Sequence, residues 1–145
     1  MLKTRRYLYL LFSLLLSGCT DIDSHTIDYC EIYALPRYLT TQIPLTEKDV
    51  ETPTGSFYIK LSNQNKMNAI AEALAEVKQN EEMNDSSGYI VNVRVVCKIY
   101  YKTGDQDSIS ISPGKLARYH NKIYKLEETQ LQTIFKNLPD SLSWN

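Results

Sequence analysis

The chain has 145 residues, 43% of them hydrophobic and 23% charged, with 16 basic against 17 acidic side chains. That is one domain of ordinary size, long enough to bury a core. A net charge of −1 gives no electrostatic case for nucleic acid, which calls for a basic domain or stripe.

The first element is an export signal. Lys3, Arg5 and Arg6 form a short basic segment, and Tyr7 to Leu16 is an uncharged apolar run. That run is about half of the ~20 residues a spanning helix needs. Charge, a short apolar stretch and then small residues form the pattern of a cleaved signal. The closing residues Leu16, Ser17, Gly18 and Cys19 resemble the lipobox of bacterial lipoproteins. The resemblance implies cleavage before Cys19, with residues 1–18 removed and Cys19 lipidated as the new N-terminus. The membrane is then a partner through that lipid. Residues 19–25 read as a short polar tether, 26–139 as a single domain and 140–145 as a tail. In enterobacterial lipoproteins an aspartate directly after the lipidated cysteine favours the inner membrane. Thr20 stands there in this chain, so the resemblance points to the outer membrane, with the domain facing the periplasm. Loss of Lys3, Arg5 and Arg6 with the signal leaves 13 basic residues of the 16 against 17 acidic, a net of −4.

With Cys19 assigned to lipid, two of the three cysteines remain, Cys30 and Cys97. In an oxidising envelope such a pair is expected to form a disulfide.

Ile27 to Ala34 is rich in β-branched and aromatic residues and reads as a strand, with Cys30, Ile32 and Ala34 on one face and Tyr29 and Tyr33 on the other. Thr46 with Asp49 has capping-box spacing, flanked by Leu45 and Val50, and predicts a short helical turn. Ser56 to Leu61 is a second alternating strand. Asn63 to Met83 is the main helix, its stripe being Met67, Ile70, Ala71, Leu74, Val77 and Glu81. Asn84 to Gly88 is a loop. Tyr89 to Lys102 predicts a long strand with Tyr89, Val91, Val93, Val95, Cys97, Ile99 and Tyr101 on one face, long enough to invite a bulge or bend. Ser108 to Ser112 is another strand. Leu116 to Tyr119 and Lys122 to Lys125 flank a hairpin turn at His120 and Asn121. Glu127 to Asn137 is a final helix, with Leu131, Ile134, Phe135 and Leu138 inward. Consecutive hairpins and two amphipathic helices predict an α+β fold, an antiparallel sheet of about five to six strands with both helices packed on one face.

Catalytic chemistry has few candidates. A hydrolase needs a nucleophile beside an oriented base. The two histidines are His25, in the tether, and His120, in a turn. Ser108, Ser110 and Ser112 alternate along a strand, the usual place for exposed serine. A zinc site needs three or four clustered ligands, and no close-spaced ligand pair seeds one. Asp105 and Asp107 lack the twelve-residue calcium pattern. No glycine-rich phosphate loop is present. The sequence therefore predicts no catalytic residues, no metal and no cofactor.

The surface feature that remains is aromatic and basic. Tyr58, Tyr100, Tyr119 and Tyr124 fall near Arg94, Lys98, Lys102, Arg118 and Lys122. Tyrosine with arginine is the composition of protein-binding hot spots. Tyr58, Arg94, Lys98 and Tyr100 are the expected partner-binding set if they share the open face of the sheet. In size, anchor and lack of active-site residues the chain resembles the immunity or inhibitor class of envelope lipoproteins, and that resemblance implies a protein partner. An assembly or pilot lipoprotein of an envelope machine is the alternative. An envelope hydrolase using His120 is the second.

Overall fold

The computed structural model describes residues 27–36, 39–52, 55–83 and 91–136. The signal, Cys19, the tether, His25, Tyr89, Leu138 and the tail lie outside them. The fold is α+β. Among the described residues it has seven strands and three helices: β1 (Ile27–Ala34), α1 (Glu47–Glu51), β2 (Phe57–Leu61), α2 (Gln64–Val77), β3 (Glu82–Met83), β4 (Val95–Tyr101), β5 (Gln106–Ser112), β6 (Leu116–Tyr119), β7 (Lys122–Lys125) and α3 (Glu128–Lys136). The strands form one antiparallel sheet in the order β2-β1-β4-β5-β6-β7-β3.

Alternation along each strand divides the residues between two faces. Cys30, Ile32, Val95, Cys97, Ile99, Ile109 and Ile111 share one core with Met67, Ile70 and Leu74 of α2 and Leu131, Ile134 and Phe135 of α3. A smaller core on the other face joins Leu35, Val50, Val91, Val93, Val96 and Ile123. α2 and α3 pack on one face, but the expected arrangement is not matched in full: there are seven strands where five to six were expected, because Glu82 and Met83 add an edge strand, and there is a third helix. The third, α1, covers part of the opposite face through Val50, its only buried side chain. The Asp49 carboxylate accepts from the Thr46 backbone N–H and hydroxyl, both at 2.8 Å, which starts α1 where the capping box predicted.

Three expectations are corrected. The main helix ends at Val77 instead of Met83. Its last turn tightens, with Gln79 N–H on Glu76 O and Asn80 N–H on Val77 O. The Asn80 amide then donates to Lys125 O at 2.8 Å and Gln130 Oε1 at 2.7 Å. Those bonds hold the chain at the far edge, where Glu82 and Met83 pair with Tyr124 and Ile123 as β3. The long strand begins at Val95. Val91 and Val93 pack in the smaller core while Val95 faces the larger one, so the expected common face is broken before β4. Finally, Cys30 and Cys97 are free thiols. Cys30 lies opposite Ile99 and Cys97 opposite Ile32, so the two sit diagonally across β1 and β4. Their thiols meet in a hydrogen bond inside the core, which holds the Cys30 thiol below its ordinary range and, with burial, pushes the Cys97 thiol well up.

The β6–β7 hairpin turns at His120 and Asn121, as predicted, both with φ near +50° to +60° (48 and 61). Such turns favour asparagine and glycine. The His120 ring is held there by stacking on Tyr119, centroids 4.0 Å apart.

Candidate functional site

Two polar clusters stand out: one lies on the face that α1 covers only in part, and the other takes Ser110 and Arg118 from that face and Asp107 from the opposite one. The first is built by β2, β1 and β4. β1 contributes Tyr29, Glu31 and Tyr33, β2 contributes Tyr58 and Lys60, and β4 contributes Lys98 and Tyr100. The register sets Tyr33 opposite Tyr58, Glu31 between Lys60 and Lys98, and Tyr29 opposite Tyr100. Glu31 is the centre. Its carboxylate accepts from the hydroxyls of Tyr58 at 2.9 Å, Tyr100 at 3.0 Å and Tyr33 at 3.3 Å. Burial pushes the Glu31 carboxyl up, but those three hydroxyls and the Lys60 charge outweigh it and hold it below the ordinary carboxylate range. Burial and the Glu31 charge push Tyr100 up to about 12. Tyr100 therefore stays a donor at any ordinary pH.

The rings are ordered as firmly as the hydroxyls. Tyr29 and Tyr100 stack at 4.4 Å and 18°. Tyr33 and Tyr58 meet at 5.1 Å. The Lys60 ammonium lies 3.6 Å from the Tyr29 ring centre, a cation–π contact. The Lys98 ammonium pairs with Glu51 of α1 at 2.7 Å and lies 5.5 Å from the Tyr33 ring. Tyr58 is 52% exposed and Phe57 beside it 45%.

Of the predicted set, Tyr58, Lys98 and Tyr100 come together here. Arg94 does not. It is 2% exposed, and its guanidinium donates to Asn92 Oδ1, Val93 O, Leu39 O and Thr41 Oγ1 at 2.6 to 3.2 Å. Its position ahead of β4 turns it under the segment 39–45, where it staples that segment to the sheet. Tyr119 and Tyr124 are also buried, in the larger core. The sequence reasoning missed Glu31 and Lys60 and left Tyr29 and Tyr33 unassigned. Alternation in β1 had already separated Tyr29 and Tyr33 from the core face. Recognising the set needed the β1–β2 and β1–β4 registers.

The second cluster lines a cavity of about 350 Å³ formed by Glu47, Gln106, Asp107, Ser108, Ser110, Arg118, His120 and Asn121. Asp107 accepts from the Tyr119 hydroxyl, from the Ser108 N–H at 3.1 Å, and lies 2.8 Å from His120 Nε2. Glu47 accepts from the Ser110 hydroxyl at 2.7 Å and pairs with Arg118 at 3.0 Å. Burial raises the Glu47 carboxyl, and Ser110, a backbone N–H and Arg118 lower it further than that. A carboxylate so held is a weak base for Ser110. The Glu47 bonds instead fasten α1 to β5 and β6. Among the described residues no group of three or more His, Cys, Asp or Glu side chains is placed to hold a metal ion. No helix among them is long and apolar enough to cross a membrane.

Comparison with known proteins gives no match: no family model, no curated protein and no solved structure aligns with this chain.

Proposed function

We propose that this chain is a lipid-anchored protein of the bacterial envelope that works by binding another protein, in the manner of immunity or inhibitor lipoproteins. The observation that carries the binding role is the tyrosine face around Glu31. Tyr29, Tyr33, Tyr58 and Tyr100 are held in fixed geometry with Lys60 and Lys98, and Tyr58 is half exposed. Tyrosine supplies large contact area with few rotamers to freeze, and rings already ordered lose little more on association. The anchor is carried by the lipobox resemblance at Leu16 to Cys19, and Cys19 is the residue that would bear lipid.

Two experiments test the two halves separately. Growth with a labelled fatty acid is expected to label the wild-type chain and not Cys19→Ser. A wild-type chain that takes up no label would refute the anchor. For the face, the full chain is captured from detergent-solubilised envelopes beside Tyr100→Ala and a remote control, Lys115→Ala. Lys115 pairs with Glu128 at 2.8 Å, away from the tyrosines. The expected result is one protein retained by wild type and control and lost by Tyr100→Ala. A partner held equally by all three chains, or no partner at all, would refute the tyrosine face as the binding site.

A further inference from the structure

β2 is the end strand of the sheet and pairs with β1 alone. Among the described residues, no strand occupies its outer edge. An open edge offers a row of unpaired N–H and C=O groups, the usual template for a further strand. Two of the four exposed large hydrophobics, Phe57 and Tyr58, lie on this strand. Lysine at an edge normally discourages pairing. Here Lys60 is drawn over the ring of Tyr29 in its own chain, which clears the edge.

From these features we infer that the occupant of this edge is β2 of a second copy, antiparallel, with the two-fold axis through Ile59. This goes beyond the binding role proposed above and does not depend on it. Backbone groups face outward on alternate residues of a strand, so an axis between two residues would set outward groups against inward ones. The axis must pass through a residue. At Lys60 it would set the two Lys60 ammonium groups opposite each other. At Tyr58 it would leave Leu61 beyond the ladder. At Ile59 all five residues of β2 are paired. Phe57 then meets Leu61 of the other copy and Ile59 meets Ile59, apolar against apolar on the helix-covered face. Tyr58 meets Lys60 of the other copy on the open face, and Tyr58 is the ring whose hydroxyl already rests on Glu31. The strand is complementary to itself in its alternation of apolar and polar side chains, as a two-fold interface requires. The pairing joins two seven-stranded sheets and lays the two tyrosine faces side by side.

The test is cysteine scanning in the full chain, in membranes, with a mild thiol oxidant. Cysteines at the axis lie ~5 Å apart, within disulfide reach. Single cysteines one place away from it are displaced by roughly 7 Å along the strand and cannot bridge. Ile59→Cys is therefore expected to give a reductant-sensitive band of doubled mass containing this chain alone. Tyr58→Cys and Lys60→Cys give none singly, and the double variant Tyr58→Cys with Lys60→Cys restores it. The double variant keeps the test valid if Ile59→Cys, which packs against the core, perturbs folding. No covalent dimer from either Ile59→Cys or the double variant would overturn the proposal. So would a dimer from the single Tyr58→Cys or Lys60→Cys variant. Sedimentation of the wild type in detergent at the mass of one chain would overturn it as well.

Discussion

Arg94→Ala is expected to lower the stability of the fold by about 3 kcal/mol, a drop of roughly 10 °C in melting temperature. The guanidinium is almost wholly buried and makes four hydrogen bonds, to Asn92, Val93, Leu39 and Thr41. All four acceptors are neutral. Removing the side chain orphans the buried Val93 carbonyl, at a cost of ~1–3 kcal/mol before relaxation, takes a donor from the half-buried contacts at Leu39 and Thr41, and leaves a cavity where the side chain packed. It also unpins the segment 39–45, which is tied to the stretch ahead of β4 by Val93 N–H to Leu45 O at 3.0 Å and Leu45 N–H to Asn92 Oδ1 at 3.0 Å as well. Arg94→Lys should recover only part of the loss. One ammonium cannot span acceptors that a planar fork reaches on two sides. Thermal melts of the three chains, with limited proteolysis to locate cleavage in 39–45, measure both effects. An alanine variant melting within a degree or two of wild type would show that the staple is dispensable.

Glu31→Gln is the second large effect, and its signature is a pH dependence. The three hydroxyls of Tyr33, Tyr58 and Tyr100 converge on one carboxylate. An amide of the same shape offers one acceptor oxygen in place of two, and turns a donor toward at least one hydroxyl. The expected cost is about 1–2 kcal/mol at neutral pH. The folded chain holds the Glu31 carboxyl below its ordinary value, so the unfolded chain takes up its proton first as pH falls. The stabilisation is complete above the ordinary glutamate range, ~4.3, and disappears as pH drops through the lower folded value. The gap in melting temperature between wild type and Glu31→Gln should therefore be widest near neutrality and narrow below about pH 4. A gap that stays constant across that range would mean the carboxylate charge contributes nothing to the tyrosine network. The same variant tests the binding role, since loosening three rings at once should weaken capture without touching any apolar contact.

Local chemistry written into short stretches was readable without a structure. IDYCEIYA alternates cleanly and forms β1 with the expected ends. His120 and Asn121 sit at the turn between β6 and β7. Thr46 and Asp49 begin α1. What could not be read depends on residues distant in sequence. Glu82 and Met83 look like the tail of an amphipathic helix until β7 is there to pair with them. Val91 and Val93 continue the alternation of β4, yet Leu35, Leu45 and Val50 supply a second apolar surface that claims them. Arg94 resembles any exposed strand arginine, and the acceptors that bury it include Leu39 O and Thr41 Oγ1, more than fifty residues away. The candidate site divides the same way. Tyr58, Lys98 and Tyr100 were found from composition. Glu31, which organises them, carries no local signal, because its three partners come from three strands.

The proposed pairing also sets a limit on assembly. A two-fold contact uses the same edge of both copies, and β2 has one free side because its other side is taken by β1. Once two β2 strands meet, each has consumed the surface that brought it there. Growth through this edge therefore stops at a closed pair, whereas a head-to-tail contact would extend into a filament.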